Sequence, residues 1–426
     1  MDKLISQLRR SIWISLLLLL TSCHLGRFVV YNFANITDYK IFPEKEIKTA
    51  GEVFYFEEKQ DSKLGDKIDN ISLNSEKFGE LQLTEFLDKQ TETVAFIVIK
   101  SDKIIYEQYF EDYQEESIVT SFSVAKSFVS SLVGIAIADG FIKSVEDPIT
   151  QYLPELAERN PDFEKITIKH LLNMRSGLKF NENSYTNPFA EIAKLYYGKN
   201  HLKQISKTKI DEAPGSSYEY QSINTEILGI IVEKATGRAL ADYFEEKIWQ
   251  PIGMEYDASW NIDSKKHQNP KAYCCLNARA IDFAKLGRLY LKMGNWEGQQ
   301  LISKEWIAKS VIPNFENECY QYQWYSKGGY RRNMLDEVIY YSDSLEAVKE
   351  ADPLFERVRA STKYNNKYYL GQCGPAYMAI GILGQYIYVD PEQELIIVRF
   401  GKKNDFSYSY LFDKIGEHIK YAPANY

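Results

Sequence analysis

Residues 123–139 read Ser-Val-Ala-Lys-Ser-Phe-Val-Ser-Ser-Leu-Val-Gly-Ile-Ala-Ile-Ala-Asp and are followed by Gly140. Lys126 and Asp139 are the only charged residues in the stretch. It therefore predicts a buried helix, with Gly140 in the position where helices commonly stop. Ser-x-x-Lys at its head places a hydroxyl and an amine one turn apart on one face. If its pKa falls below the ordinary value of about 10.4, such an amine can take the serine proton, which makes the pair a candidate nucleophile and base. The pattern occurs three times, as Ser123-Lys126, Ser176-Lys179 and Ser206-Lys209. Only the first heads an apolar helix, whose positive end and Ser123 N–H can stabilise an oxyanion and whose surroundings depress Lys126. Ser176 is followed by Gly177, and Ser206-Lys-Thr-Lys209 is a charged stretch. The plainer reading of Ser123 is a helix N-cap.

Upstream, Thr93–Phe110 reads as two strands joined by the turn-like Lys100-Ser-Asp-Lys103, an antiparallel hairpin. Downstream, helices are expected at 166–174, 223–236 and 279–293. Strands follow at Gln385–Val389 and Leu395–Phe400, then a helix near 407–420. Strands at both ends of a helical middle predict an α+β fold, with a central antiparallel sheet closed by both chain ends and a mainly helical lobe inserted between them. The expected organisation is a leader (1–22), a tether and extension (23–90) that packs on the main domain, and a catalytic domain (91–426). The charge-clustered, tyrosine-rich stretch 327–370 reads as an insertion within that domain.

The chain has 51 Lys and Arg against 59 Asp and Glu, a net charge of −8, which disfavours nucleic acid as a partner. Five histidines and five cysteines show neither His-Glu-x-x-His nor Cys-x-x-Cys, so no metal is expected. The absence of Gly-x-Ser-x-Gly disfavours an α/β-hydrolase elbow. Two further signals join Ser123. Tyr218-Glu-Tyr220-Gln-Ser222 precedes an amphipathic helix and can set a phenol beside the Ser/Lys pair as a proton shuttle. Tyr is common here, with 32 copies, so a packing tyrosine is the competing reading. Gly381-Ile-Leu-Gly384-Gln385 opens what reads as an edge strand, where small residues let a substrate carbonyl approach backbone N–H groups.

At the N-terminus, Lys3, Arg9 and Arg10 precede an apolar run, Ile12–Leu20, that ends in Thr21-Ser22-Cys23. The run is about half of the roughly 20 residues a spanning helix needs. A charged segment, a short apolar segment and small residues before cysteine resemble a bacterial lipoprotein signal, which implies export and lipid attachment at Cys23. An uncleaved anchor over residues 12–33 is the alternative.

In order along the chain, the motifs are Ser123-Val-Ala-Lys126-Ser-Phe, Leu171-Leu-Asn-Met-Arg-Ser-Gly177, and Pro214-Gly215 with Tyr220-Gln-Ser222. After these come Leu228-Gly229 with Glu233 and Thr236-Gly237, Pro251-Ile-Gly253-Met254, Ala278-Arg-Ala-Ile-Asp282 with Gly287, Trp296-Glu-Gly298 and Gly381-Ile-Leu-Gly384-Gln385. The series resembles the serine β-lactamase-related family: class C β-lactamases, low-molecular-weight penicillin-binding proteins, family esterases and 6-aminohexanoate-dimer hydrolases. The likeness spans residues 90–420. Tyr-x-Ser in place of Tyr-x-Asn, and the Gly-Gln pair, are most similar to the 6-aminohexanoate-dimer hydrolase branch. The resemblance implies a β-lactamase/transpeptidase-like fold with Ser123 as the acylated nucleophile, Lys126 as general base and Tyr220 as proton relay. It further implies an oxyanion hole from the backbone N–H groups of Ser123 and Gln385, the latter following Gly384, with Ser222 beside the substrate. Tyr185 falls where that branch has a loop tyrosine contacting the substrate amide, although Tyr185-Thr-Asn187 is itself a rival Tyr-x-Asn pattern. No cofactor is implied.

The family's Lys-Thr-Gly, a cationic anchor for the carboxylate of antibiotics, is replaced here by Ile382-Leu383-Gly384. A small-molecule or short-peptide ester or amide is therefore the expected substrate. β-Lactamase or D,D-peptidase activity, and a non-catalytic ligand-sensing or cell-wall-binding module, are the alternatives. Cys274 and Cys275 read as small buried packing residues, because disulfide geometry resists bridging neighbours. One of them pairing with Cys319 or Cys373 is the other reading.

Overall fold

The computed structural model describes residues 24–31, 33–58, 68–75, 77–314, 317–330, 339–351, 356–360 and 367–420. Cys23 and the apolar run before it lie outside them. Among the described residues no helix is long and apolar enough to cross a membrane.

In chain order the elements used below are helix α1 (His24–Tyr31), strands β1 (Glu44–Ile47), β2 (Glu57–Glu58), β3 (Thr93–Lys100) and β4 (Lys103–Tyr109), and helices α2 (Ala125–Ala138), α3 (Glu191–Tyr197) and α4 (Ser222–Thr236). Strands β5 (Ala258–Asn261) and β6 (Leu276–Ala278), helix α5 (Ala280–Leu291), strands β7 (Trp324–Tyr330), β8 (Tyr368–Gly381), β9 (Gln385–Asp390) and β10 (Leu395–Gly401), and helix α6 (Tyr408–Lys420) complete them.

The main sheet runs β7-β8-β9-β10-β3-β4-β2, with the short strand Tyr320–Gln321 outside β7. Its ladders are antiparallel except where β2 joins β4. The two ends of the chain meet at its centre, where Ile397 of β10 faces Val98 of β3. Ile97, Ile387, Ile396 and Val398 point into the core shared with α2, α4 and α5, whereas Phe96, Val98, Tyr386 and Ile397 point into the core under α6. Being covered on both faces explains why these strands are continuous apolar runs. Helix α5 lies so close to the sheet that a Cβ on Gly287 would sit 2.9 Å from Ile396 Cγ2.

Three expectations are corrected. Strand β9 is interior, between β8 and β10, because residues 324–381 add β7 and β8 beyond it. The helix expected at 166–174 is the five-residue Ile168–Leu172, capped by Thr167 and followed by Met174 with φ of +55°. Cys274 and Cys275 are bridged to each other, with Cys275 in the left-handed region at φ +70°, and Cys319 pairs with Cys373. In the stretch 327–370, the strands Tyr340–Tyr341 and Glu356–Ala360 both pair with β8.

The N-terminal extension packs along the domain. β1 pairs with β5 from Glu44–Asn261 to Ile47–Ala258, and the Tyr196 hydroxyl donates to Asp38 Oδ2 at 2.6 Å.

Candidate active site

Ser123 lies in the 3₁₀ turn Phe122–Val124 that leads into α2. It is not the N-cap: Val124 holds that position, and no side chain caps the helix. Phe122, just before it, has φ of +44°. For a non-glycine residue this strain costs about 1–3 kcal/mol and persists only where the surroundings impose it.

Lys126, one turn on, is 1% exposed. Its Nζ donates to Ser123 Oγ at 2.8 Å, Ser222 Oγ at 3.1 Å and the Tyr273 carbonyl at 2.8 Å. The rings of Tyr220 and Tyr273 stand 5.2 and 5.5 Å from Nζ. Burial pushes the amine down to about 8, against the opposing pull of the Glu182 and Glu226 carboxylates.

Helix α4 organises the other side. Its first residue, Ser222, donates from Oγ to Glu182 Oε1 at 2.7 Å and from its backbone N–H to Oε2 at 2.8 Å. Tyr185 donates to the same Oε1 at 3.0 Å. One turn further along α4, buried Glu226 accepts from the Ala272 N–H at 3.0 Å and pairs with His201 Nδ1 at 2.5 Å. This fixes the loop whose next carbonyl, on Tyr273, holds Lys126.

The Tyr220 phenol interacts with the Ser123 side chain, and burial, reinforced by Glu182, pushes it well above its ordinary value. Its ring packs edge-on against Tyr320 at 5.9 Å and stacked on Tyr325 at 6.2 Å. Tyr220 is therefore the phenol that interacts with both members of the Ser123–Lys126 pair. Tyr185 stands nearby, bonded to Glu182.

The turn between β8 and β9 passes directly beside the serine. A Cβ on Gly381 would sit 2.7 Å from the Ser121 carbonyl oxygen and 3.2 Å from Ser123 N. Gly381 thus makes room for the nucleophile's own backbone. Ile382 and Leu383 line the cavity with Ser123. Gln385 and Gly384 do not. Gln385 is fully buried, its amide donating to the Gly401 carbonyl at 2.8 Å. Gly384, at φ +78°, presses its backbone against Arg399, whose Nη1 donates to its carbonyl at 2.6 Å.

The cavity is about 240 Å³ and is lined mainly by aromatic and aliphatic side chains, with Ser123, Glu182, Ser222 and the phenols of Tyr185, Tyr196, Tyr197 and Tyr273 as its polar groups. The other two Ser-x-x-Lys pairs lie elsewhere: exposed Lys179 pairs with Asp211, and Ser206 Oγ donates to the Lys203 carbonyl. Glu182 and the Tyr273 carbonyl were not anticipated as parts of the site. Glu182 sits three residues before Tyr185, and that proximity was the one signal in the sequence. A backbone carbonyl leaves none.

A two-sided α+β sheet holding a Ser/Lys pair at the head of a buried helix defines a serine hydrolase of the β-lactamase/transpeptidase-like fold. The family profile described as Beta-lactamase matches residues 80–417, and the chain belongs to that family. It is 25% identical over 334 residues to the 6-aminohexanoate-dimer hydrolase of Paenarthrobacter ureafaciens, covering 74% of each chain. It is 29% identical over 151 residues to Esterase EstB of Burkholderia gladioli, covering 33% of this chain and 38% of that one. A solved structure from Bacillus anthracis, provisionally designated a 6-aminohexanoate-dimer hydrolase, superposes with a TM-score of 0.69 at 22% identity, covering 91% of this chain and 94% of that one.

Proposed function

We propose that the protein hydrolyses an ester or amide through an acyl-enzyme on Ser123. The neutral Lys126 amine takes the Ser123 proton, and Oγ bonds to the substrate carbonyl carbon. The oxyanion faces the Ser123 N–H, with a backbone N–H of the Gly381–Gln385 turn, that of Gln385 by resemblance, as the second donor. Collapse breaks the bond to the leaving group, which receives the proton from Lys126 through Tyr220. Water then attacks the acyl carbon, giving one proton to Lys126. That proton returns to Oγ as the acid departs.

The observation carrying this reading is a buried amine, depressed to about 8, in contact with the Ser123 hydroxyl. Burial keeps the Tyr220 phenol protonated, which suits a relay and not a resident phenolate. Ser123→Ala is expected to abolish covalent labelling by a fluorophosphonate and turnover of p-nitrophenyl esters; labelling that persists would sink the proposal. No Lys or Arg is among the described residues lining the cavity. A chromogenic cephalosporin is therefore expected to turn over at least about 10²-fold more slowly than a simple ester, as for a substrate deprived of its charged hydrogen-bonding partner.

We also propose export and lipid attachment at Cys23. The two disulfides support this, since such bonds persist in oxidising compartments. Mass spectrometry of the membrane-extracted protein, with Cys23→Ser for comparison, tests it: an unmodified N-terminus on both would refute it.

A further inference from the structure

The family profile begins at residue 80, yet Phe28, Phe33 and Ala34 of the N-terminal extension line the cavity that contains Ser123. Phe28 and Ala34 are held there by packing against the main core. Phe28 meets Tyr197 of α3 edge-on at 5.7 Å, and Phe42 meets Tyr196 at 5.2 Å. The buried Lys271 amine donates to the Tyr196 carbonyl and lies 4.1 Å over the Phe42 ring. The Thr120 N–H donates to the Ile36 carbonyl at 3.3 Å, three residues before Ser123. The extension thus forms one wall of the cavity, and with Ile382 and Leu383 it gives the nucleophile an apolar flank.

We propose that this extension builds an acyl-chain subsite, and that the protein takes substrates whose acyl part is an uncharged aliphatic or aryl chain several carbons long. The inference rests on the reading that Ser123 is acylated. Tyr220, which would deliver the leaving group's proton, is not among the residues lining the cavity. The leaving group therefore departs on the tyrosine side, and the cavity is left for the acyl group. The one carboxylate in the lining, Glu182, is already bonded to Ser222 and Tyr185. A terminal carboxylate on the acyl chain would enter apolar surroundings and meet that negative charge. An aliphatic chain has no polar group to desolvate on entering and gains the transfer of each methylene from water.

The test is a series of p-nitrophenyl esters, from acetate to hexanoate, together with a hemisuccinate of comparable length. At roughly 0.8 kcal/mol per methylene, kcat/KM is expected to rise about threefold to fourfold per added carbon in the native protein. The hemisuccinate is expected to run at least about tenfold behind butyrate. In Phe28→Ala/Phe33→Ala the hexanoate-to-acetate ratio is expected to fall about tenfold or more. Phe33→Ala alone, a half-exposed ring with little folding load, is expected to lower it about threefold. A flat series in the native protein, or an unchanged ratio in both variants, overturns the subsite. Ser123→Ala separates the two failures: if it is inactive while the series is flat, only this inference falls, whereas hydrolysis surviving in Ser123→Ala brings down the acyl-enzyme reading itself.

Discussion

On the Lys126 side of Ser123 the site is a chain of bonded polar groups running from the Tyr273 carbonyl through Lys126 and Ser222 to Glu182 and Tyr185. On the other side it is aromatic and aliphatic surface contributed by α1, α3 and the Ile382–Leu383 turn. The polar side depends on groups held within a few tenths of an ångström, and each bond has a named partner. The apolar side depends on enclosed area and tolerates imprecision. Changes on the first should therefore alter chemistry steeply, and changes on the second should alter preference gradually.

The steepest test is Lys126→Ala. It removes the proposed base and leaves Ser222 and Tyr273 with an empty buried position, and ester turnover should fall by at least about 10³-fold. A loss below tenfold would mean the polar chain is scaffolding.

Next is Gly381→Ala. Its methyl would press on the Ser121 carbonyl and the Ser123 nitrogen, and a displacement approaching 1 Å at the nucleophile costs about 10²-fold. Retained thermal stability with this loss in kcat would place the effect at the site and not in the fold.

Glu182→Gln is subtler. Lys126 must be neutral to act, so kcat/KM should climb as pH rises through about 8. The Glu182 charge favours the ammonium and raises that value. Its removal lowers the Lys126 pKa, so the ascending limb should move toward lower pH by up to about one unit. A merely structural Glu182 would lower the rate and leave the limb where it was.

The smallest expected effect lies across the cavity, in the chain-length ratio of Phe33→Ala. If that variant also moved the pH limb, the separation between the two sides would fail.

Most of the polar side was legible because its spacings are local. Ser123 and Lys126 stand one helical turn apart, and Tyr220 and Ser222 flank the start of α4. The β3–β4 hairpin and the β9 and β10 runs were equally legible, since burial on both faces leaves uninterrupted apolar strings. What escaped depends on long-range placement. Whether β9 is an edge or an interior strand is decided by residues 324–381. The Cys274–Cys275 bridge needed Cys275 in a left-handed conformation that its side chain does not announce. The aromatic wall from residues 28–34 meets the nucleophile only through folding, across roughly ninety residues of chain.

The three oxygens around Lys126 also permit a count of hydrogens. An ammonium carries three, and Ser123 Oγ, Ser222 Oγ and the Tyr273 carbonyl accept one each. When one proton leaves, two hydrogens remain for three oxygens, and one neighbour must turn a hydrogen of its own toward the nitrogen lone pair. The carbonyl has none to give, and the Ser222 hydrogen is committed to Glu182. Ser123 is the neighbour able to reverse, so the loss of one proton from the amine both creates the acceptor and selects the hydroxyl that will donate to it.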